Sequence, residues 1–176
     1  VRGVADTNAQ AGVDGVRWKS DIDKARAAQT LTNRGYRPLP YRHTEIEENG
    51  KHRVIHVPAA RDKAMLLLYA YALDPVSEST ADRKSFSARK GRSVFDAHAW
   101  LVQELTGEDA PDLVVVIDVK AYYSSITHDR LIEEIPMDKA MLKKFLKAGV
   151  IRDGELFSTD KGISLGTSLS PILGNM

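Results

Sequence analysis

The run Leu113-Val114-Val115-Val116-Ile117, closed by Asp118, constrains this chain more than any other segment. Five consecutive apolar residues, four of them β-branched, predict a strand over 113–119. Hydrophobicity that is continuous rather than alternating predicts burial on both faces, at the centre of a sheet. A carboxylate at the end of such a strand is costly to desolvate unless a cation or hydrogen-bond donors meet it. Asp118 therefore has a job. It can cap a helix starting near Ala121, or hold a metal. A phosphoaspartate nucleophile is set aside, because Lys120 stands where that chemistry places a second acid. The cap and the metal readings stand side by side on this stretch alone.

The remaining elements are locally signalled. Ser20 with Asp23, three residues on, forms a capping-box pattern for a helix reaching toward Gly35. Two alternating strands flank Asn49-Gly50, the dipeptide best suited to a tight hairpin turn. A helix follows Pro58 through "RDKAMLLLYAYAL" and is expected to stop before Pro75. Residues 76–92 read as a polar loop, and Ser93 with Asp96 opens a helix to about Leu105. Short helices are expected around 128–135 and 138–148, and Asp153-Gly154 marks a second, smaller hairpin between Val150 and Phe157. Strands scattered among helices without regular alternation make the class α+β.

Composition excludes more than it selects. With no cysteine, disulfides and thiolate metal sites are ruled out, and a reducing, cytoplasmic setting is the expectation. No apolar run approaches the roughly 20 residues of a membrane-spanning helix, so no membrane partner is expected. A net charge of +1 on 176 residues gives no global bias toward polyanions. The chain opens on Val1 and closes inside what reads as a new helix, so a segment cut at both ends is expected.

Local charge is more informative. Five of the ten residues from Arg83 to Arg92 are basic (Arg83, Lys84, Arg89, Lys90 and Arg92), with Phe86 among them and Gly91 permitting close approach. Such a run is commonly a solvated loop; placed just before a helix it also suits phosphates. Two motif matches in "GISLGTSLSP" fail. Gly162-x-Ser164-x-Gly166 fits the hydrolase elbow but lacks a preceding strand and a following acid and histidine. Thr167 stands where a phosphate-binding loop needs lysine. His52 and His56 share a strand face without an evident third metal ligand.

Read in order, six blocks resemble the reverse transcriptases of group II introns and their bacterial relatives. "NAQAGVDGV", "GYRPLPYRH" with "NGKHRVIHVPAARDK", "SFSARKGRSVFDA", "VVVIDVKAYYSSITHDRL", "KAGVIRDGELF" and "GISLGTSLSPILGNM" carry the resemblance. It implies the fingers (1–110, with an N-terminal extension block) and part of the palm (111–176) of a right-hand polymerase, truncated before the family's Tyr-x-Asp-Asp motif. It implies RNA-directed DNA polymerase activity in the full-length protein and an inactive fragment. Partners would be an RNA template, a DNA primer and dNTPs, with intron RNA a further one. Asp118 would be catalytic and bind two Mg²⁺ ions together with the Val119 carbonyl. Arg53 and, more weakly, Lys51 would neutralise the triphosphate, faced by the amides of Ala121 and Tyr122. Tyr123 would sit beside the incoming sugar. Arg83, Lys84, Arg89, Lys90, Arg92 and Gly166 would contact nucleic acid. Leu165 replaces the family glutamine that touches the nucleotide sugar, and Glu47 replaces a fingers lysine, with Arg42 or Lys51 placed to compensate. Those two departures suit a non-catalytic RNA-binding module, akin to a maturase or a defence-system relative.

Overall fold

The computed structural model describes residues 10–48 and 50–176, with only the backbone of Glu48 and Lys51. Asn49 of the expected hairpin turn and the Lys51 side chain lie outside the described residues. The architecture is mixed α+β. Helix α1 (Asp21–Thr30) opens on Ser20, whose hydroxyl accepts from the Asp23 amide while Asp23 accepts from the Ser20 amide. It ends at Thr30, short of Gly35. Strands β1 (Tyr41–Glu48) and β2 (Lys51–Val57) form the expected antiparallel hairpin, with Arg42 opposite Val57 and Ile46 opposite Arg53.

Helix α2 (Ala60–Thr80) does not stop before Pro75 but runs through it. Proline withholds one backbone N–H, a local cost. The turn beyond it is held from outside: Arg89 donates from Nη2 to the Glu78 carbonyl at 3.0 Å and from Nε to Glu78 Oε2 at 2.8 Å. Residues expected to be loop up to Thr80 are therefore helical. Helix α3 (Val94–Thr106) begins at the Ser93–Asp96 capping box, and buries no residue. After α4 (Tyr122–Ser125), α5 (His128–Glu134) and α6 (Lys139–Leu146) come β3 (Val150–Arg152) and β4 (Glu155–Phe157). Asp153 and Gly154 make their turn with φ of 54° and 85°, as the dipeptide required. Helix α7 (Ser170–Asn175) closes the described chain.

The sheet order is β2-β1-β3-β4, with β1 and β3 parallel through Tyr41–Val150 and Arg42–Ile151. One hydrophobic core joins Tyr36, Tyr41 and the Met65, Leu66, Ala70, Leu73 face of α2 to α5, α6 and α7. It spans both sides of position 110.

The segment 113–119 corrects the expectation most plainly. It is extended but pairs with no strand, and its apolar side chains face solvent, Val116 at 91% and Ile117 at 81% exposure. A continuous apolar run burying both faces needs strands on both sides. Among the described residues none lies alongside it.

Candidate active site

Asp118 lies at the end of that exposed segment. Its carboxylate accepts no hydrogen bond and makes no ion pair among the described residues. The helix that follows is capped by Ala121 in the left-handed conformation (φ 55°), with no side-chain cap. Helix capping is thus not what this acid does here. The Ala121 and Tyr122 amides are among the four that a helix start leaves unpaired, and neither donates to a described acceptor.

Helix α4 is held by the glycine loop of residues 162–169. Gly162 donates to the Ile126 carbonyl and Ile163 to that of Tyr123, both at 2.8 Å. Gly162 has φ of 84°, and a Cβ there would stand 2.8 Å from the Ser124 Cα, so only glycine lets the loop come this close. Tyr122 donates its hydroxyl to the Gly174 carbonyl at 2.6 Å, and its ring meets that of Tyr123 edge-on with centroids 5.3 Å apart. Tyr123 lies half-buried against Gly174; burial and then Tyr122 push its phenol pKa up. Further along, the same loop lies on the hairpin. His56 donates its amide to the Leu165 carbonyl at 2.8 Å, and a Cβ on Gly166 would stand 3.2 Å from the Ile55 Cβ. Gly166 thus lies against the β2 strand that carries the exposed Arg53.

The basic loop is built differently from the sequence expectation. Arg89 is buried, and its guanidinium is committed inward, to Glu78, the Glu78 carbonyl and the Asp82 carbonyl (2.6 Å). Arg92 adds bonds to the Ser85 carbonyl and to Glu78 Oε1 at 2.8 and 2.7 Å. The two arginines hold the Glu78 carboxyl below the usual range. Lys90 pairs with Asp74, and Lys84 lies 4.6 Å from the Trp100 ring centroid. Arg89 thus serves the loop rather than presenting itself to phosphate; Arg83, Lys84 and Lys90 remain exposed. Asn175 donates to the Ser87 carbonyl at 3.1 Å, tying the loop to α7.

Sequence reasoning missed Glu78 and Asn175. Glu78 was hidden by the helix stop expected at Pro75, and nothing local marks Asn175. His56 stacks on Tyr41 with centroids 6.5 Å apart, and burial and then His43 lower its pKa. No group of three His, Cys, Asp or Glu side chains among the described residues can hold a metal. No helix among the described residues is long and apolar enough to cross a membrane.

The family model for reverse transcriptase (RNA-dependent DNA polymerase) matches residues 42–176, from β1 to the last described helix. The chain belongs to the reverse transcriptase family. Its similarity to protein YkfC of Escherichia coli K12 is 30% identity over 180 residues, covering 94% of this chain and 47% of that protein. It is 28% identical to the group II intron-encoded protein LtrA of Lactococcus lactis, over 84% of this chain and 26% of LtrA. An uncharacterised 91 kDa protein in the cob intron of Schizosaccharomyces pombe matches 88% of the chain at 27% identity. This reverse transcriptase chain spans less than half the length of each of these three relatives.

Proposed function

We propose that this chain is the fingers (1–110) and the first part of the palm (111–176) of an RNA-directed DNA polymerase of the group II intron type. The observation that carries the reading is the reverse transcriptase match over 42–176. The state of Asp118 supports it: an acid with no hydrogen-bond or ion-pair partner among the described residues, at the end of an apolar extended segment, beside a helix it does not cap. A carboxylate kept out of every internal bond is free to meet a cation.

In such polymerases two Mg²⁺ ions stabilise the attacking and leaving oxygens of nucleotidyl transfer. One carboxylate does not hold two ions, so the described residues do not by themselves make that site. The Tyr-x-Asp-Asp motif that supplies the other acids in such polymerases does not occur in these 176 residues. In this reading Asp118 and the Val119 carbonyl are the ligands contributed here, and the chain alone does not polymerise. Arg53 brings positive charge to the triphosphate, while the unpaired amides of Ala121 and Tyr122 offer it donors. The Tyr123 ring excludes a 2′-hydroxyl. Exposed Arg83, Lys84 and Lys90 contact template phosphates.

A second reading, an RNA-binding module without catalysis, is favoured by Leu165, whose apolar side chain offers a sugar no hydrogen bond, and by the negative charge of Glu47. Primer extension on an RNA template by the complete protein separates the two. Magnesium-dependent dNTP incorporation supports the polymerase, and RNA binding without any incorporation supports the module.

A further inference from the structure

The extended run at 113–119 is open along both edges. None of its residues gives or takes a hydrogen bond among the described residues, and each of its six apolar side chains is at least 57% exposed. No described part of the chain therefore covers it. Unpaired N–H and C=O groups along a flat apolar strand are a template for another strand.

The sequence around the run is its own complement in one register. When two copies pair antiparallel, the two-fold axis passes between two copies of a single residue. With Val116 on the axis, Asp112 of each copy stands opposite Lys120 of the other, so an opposite-charge pair closes each end. All of residues 112–120 are exposed and available for this. The same register ends where the backbone itself ends the ladder. Pro111, with no N–H to donate, falls opposite Ala121, whose left-handed φ of 55° breaks the extended chain. Moving the axis to Val115 sets Asp112 opposite Asp118, two like charges. Moving it to Ile117 sets Lys120 opposite Val114 and leaves Asp112 without a counter-charge. An in-register parallel pair lays Asp118 beside Asp118 and Lys120 beside Lys120. Because side chains alternate along a strand, Leu113, Val115, Ile117 and Val119 of both copies share one wholly apolar face.

We propose that residues 112–120 pair antiparallel with the same residues of a second copy of this chain, making a two-fold dimer centred on Val116. The pairing stands on the exposure of the run and its charge register, and does not depend on the polymerase reading. A two-stranded pair is marginal by itself, so the association is weak and concentration-dependent.

Sedimentation equilibrium at rising concentration tests this: the mass climbs from 19.5 kDa toward twice that value and no further. Asp112→Lys or Lys120→Asp alone sets two like-charge pairs across the axis and weakens association about tenfold. Mixing the two variants restores it, because each mixed pair again has a lysine opposite an acid at both ends. The chain has no cysteine, so single cysteines report the register. Val116→Cys faces itself with Cα atoms about 4.5–5.5 Å apart, within disulfide range, and mild oxidation links two copies. Val114→Cys lies roughly 13 Å from its own counterpart and does not link. The substituted side chains are exposed, so unfolding temperatures of dilute variants stay at the value of the unaltered chain and separate lost pairing from lost folding. A chain that remains monomeric at every concentration overturns the proposal; if the run is then protected only within a longer polypeptide, the occupant is that polypeptide's own chain. A dimer indifferent to both charge reversals overturns it as well, since the contact then lies elsewhere. Equal cross-linking at 114 and 116, or growth beyond two copies, shows an edge without a fixed register and has the same consequence.

Discussion

Replacing Arg89 by alanine removes a side chain that is 7% exposed and linked to four points, two on Glu78 of α2 and two on the loop that follows it. Two of those links are well-formed bonds to backbone carbonyls, Asp82 at 2.6 Å and Glu78 at 3.0 Å; the third carbonyl, Ser85, is marginal at 3.4 Å. A hydrogen bond to a charged donor is worth about 1.5 kcal/mol at the lower end of its range, so the two good carbonyl bonds alone account for about 3 kcal/mol. The bond to the Glu78 carboxylate is left out of that sum, since this group is solvated and keeps Arg92. With a urea m-value of about 2 kcal/mol/M, the unfolding midpoint falls by about 1.5 M at constant m. Lys90→Ala, which breaks an exposed pair with Asp74, costs under about 1 kcal/mol. Arg89→Lys recovers less than half of the loss, because one ammonium cannot reproduce the guanidinium fork. Urea unfolding followed by circular dichroism reads all three. An Arg89→Ala midpoint no lower than that of Lys90→Ala, together with weakened RNA binding, would refute the buried clamp and return Arg89 to the surface.

Asp62 gives a pH dependence. Its carboxylate, 2% exposed, accepts from the Tyr36 hydroxyl at 2.6 Å and the Leu39 amide at 2.9 Å, yet burial, the larger influence, raises its pKa. A native pKa above the unfolded one means that the folded state holds the proton more tightly. The stability this group contributes is present below about pH 4 and is lost as pH rises through the raised native value. The stability difference between the unaltered chain and Asp62→Asn therefore grows in favour of the former on acidification; a difference flat from about pH 7 to 4 contradicts this. Gly162→Ala drives a Cβ to 2.8 Å from the Ser124 backbone, whereas Gly154→Ala, at nearly the same φ, meets nothing within 4 Å. The Gly154 change costs about 1 kcal/mol of strain, and the Gly162 change at least about 1 kcal/mol more. Equal unfolding midpoints for the two variants would show that the glycine loop does not rest on α4.

What was legible in the sequence was what neighbouring residues decide among themselves. Asn49-Gly50 and Asp153-Gly154 announced both hairpins, and the Ser20 and Ser93 capping boxes are in place because each closes within three residues. Pro75 misled because its local cost is met by Arg89, a residue outside the helix. The basic loop misled for a related reason. Sequence gives the sign of a charge but not its direction, and Glu78 turns Arg89 inward. The apolar run at 113–117 announces burial on both faces, but burial of a strand is delivered by its neighbours, and among the described residues no strand stands beside it, so the run is exposed. Of the candidate site, the glycine loop was visible as a turn, but its contacts with both α4 and β2 arise only on folding.

Asp118 makes no hydrogen bond or ion pair among the described residues, so Asp118→Asn is expected to leave the unfolding temperature unchanged. On the proposed polymerase reading, the same change in the complete protein should cut primer extension on an RNA template on the order of a thousandfold, the worth of several kcal/mol of metal-borne charge stabilisation. Undiminished extension by Asp118→Asn would contradict the metal role directly.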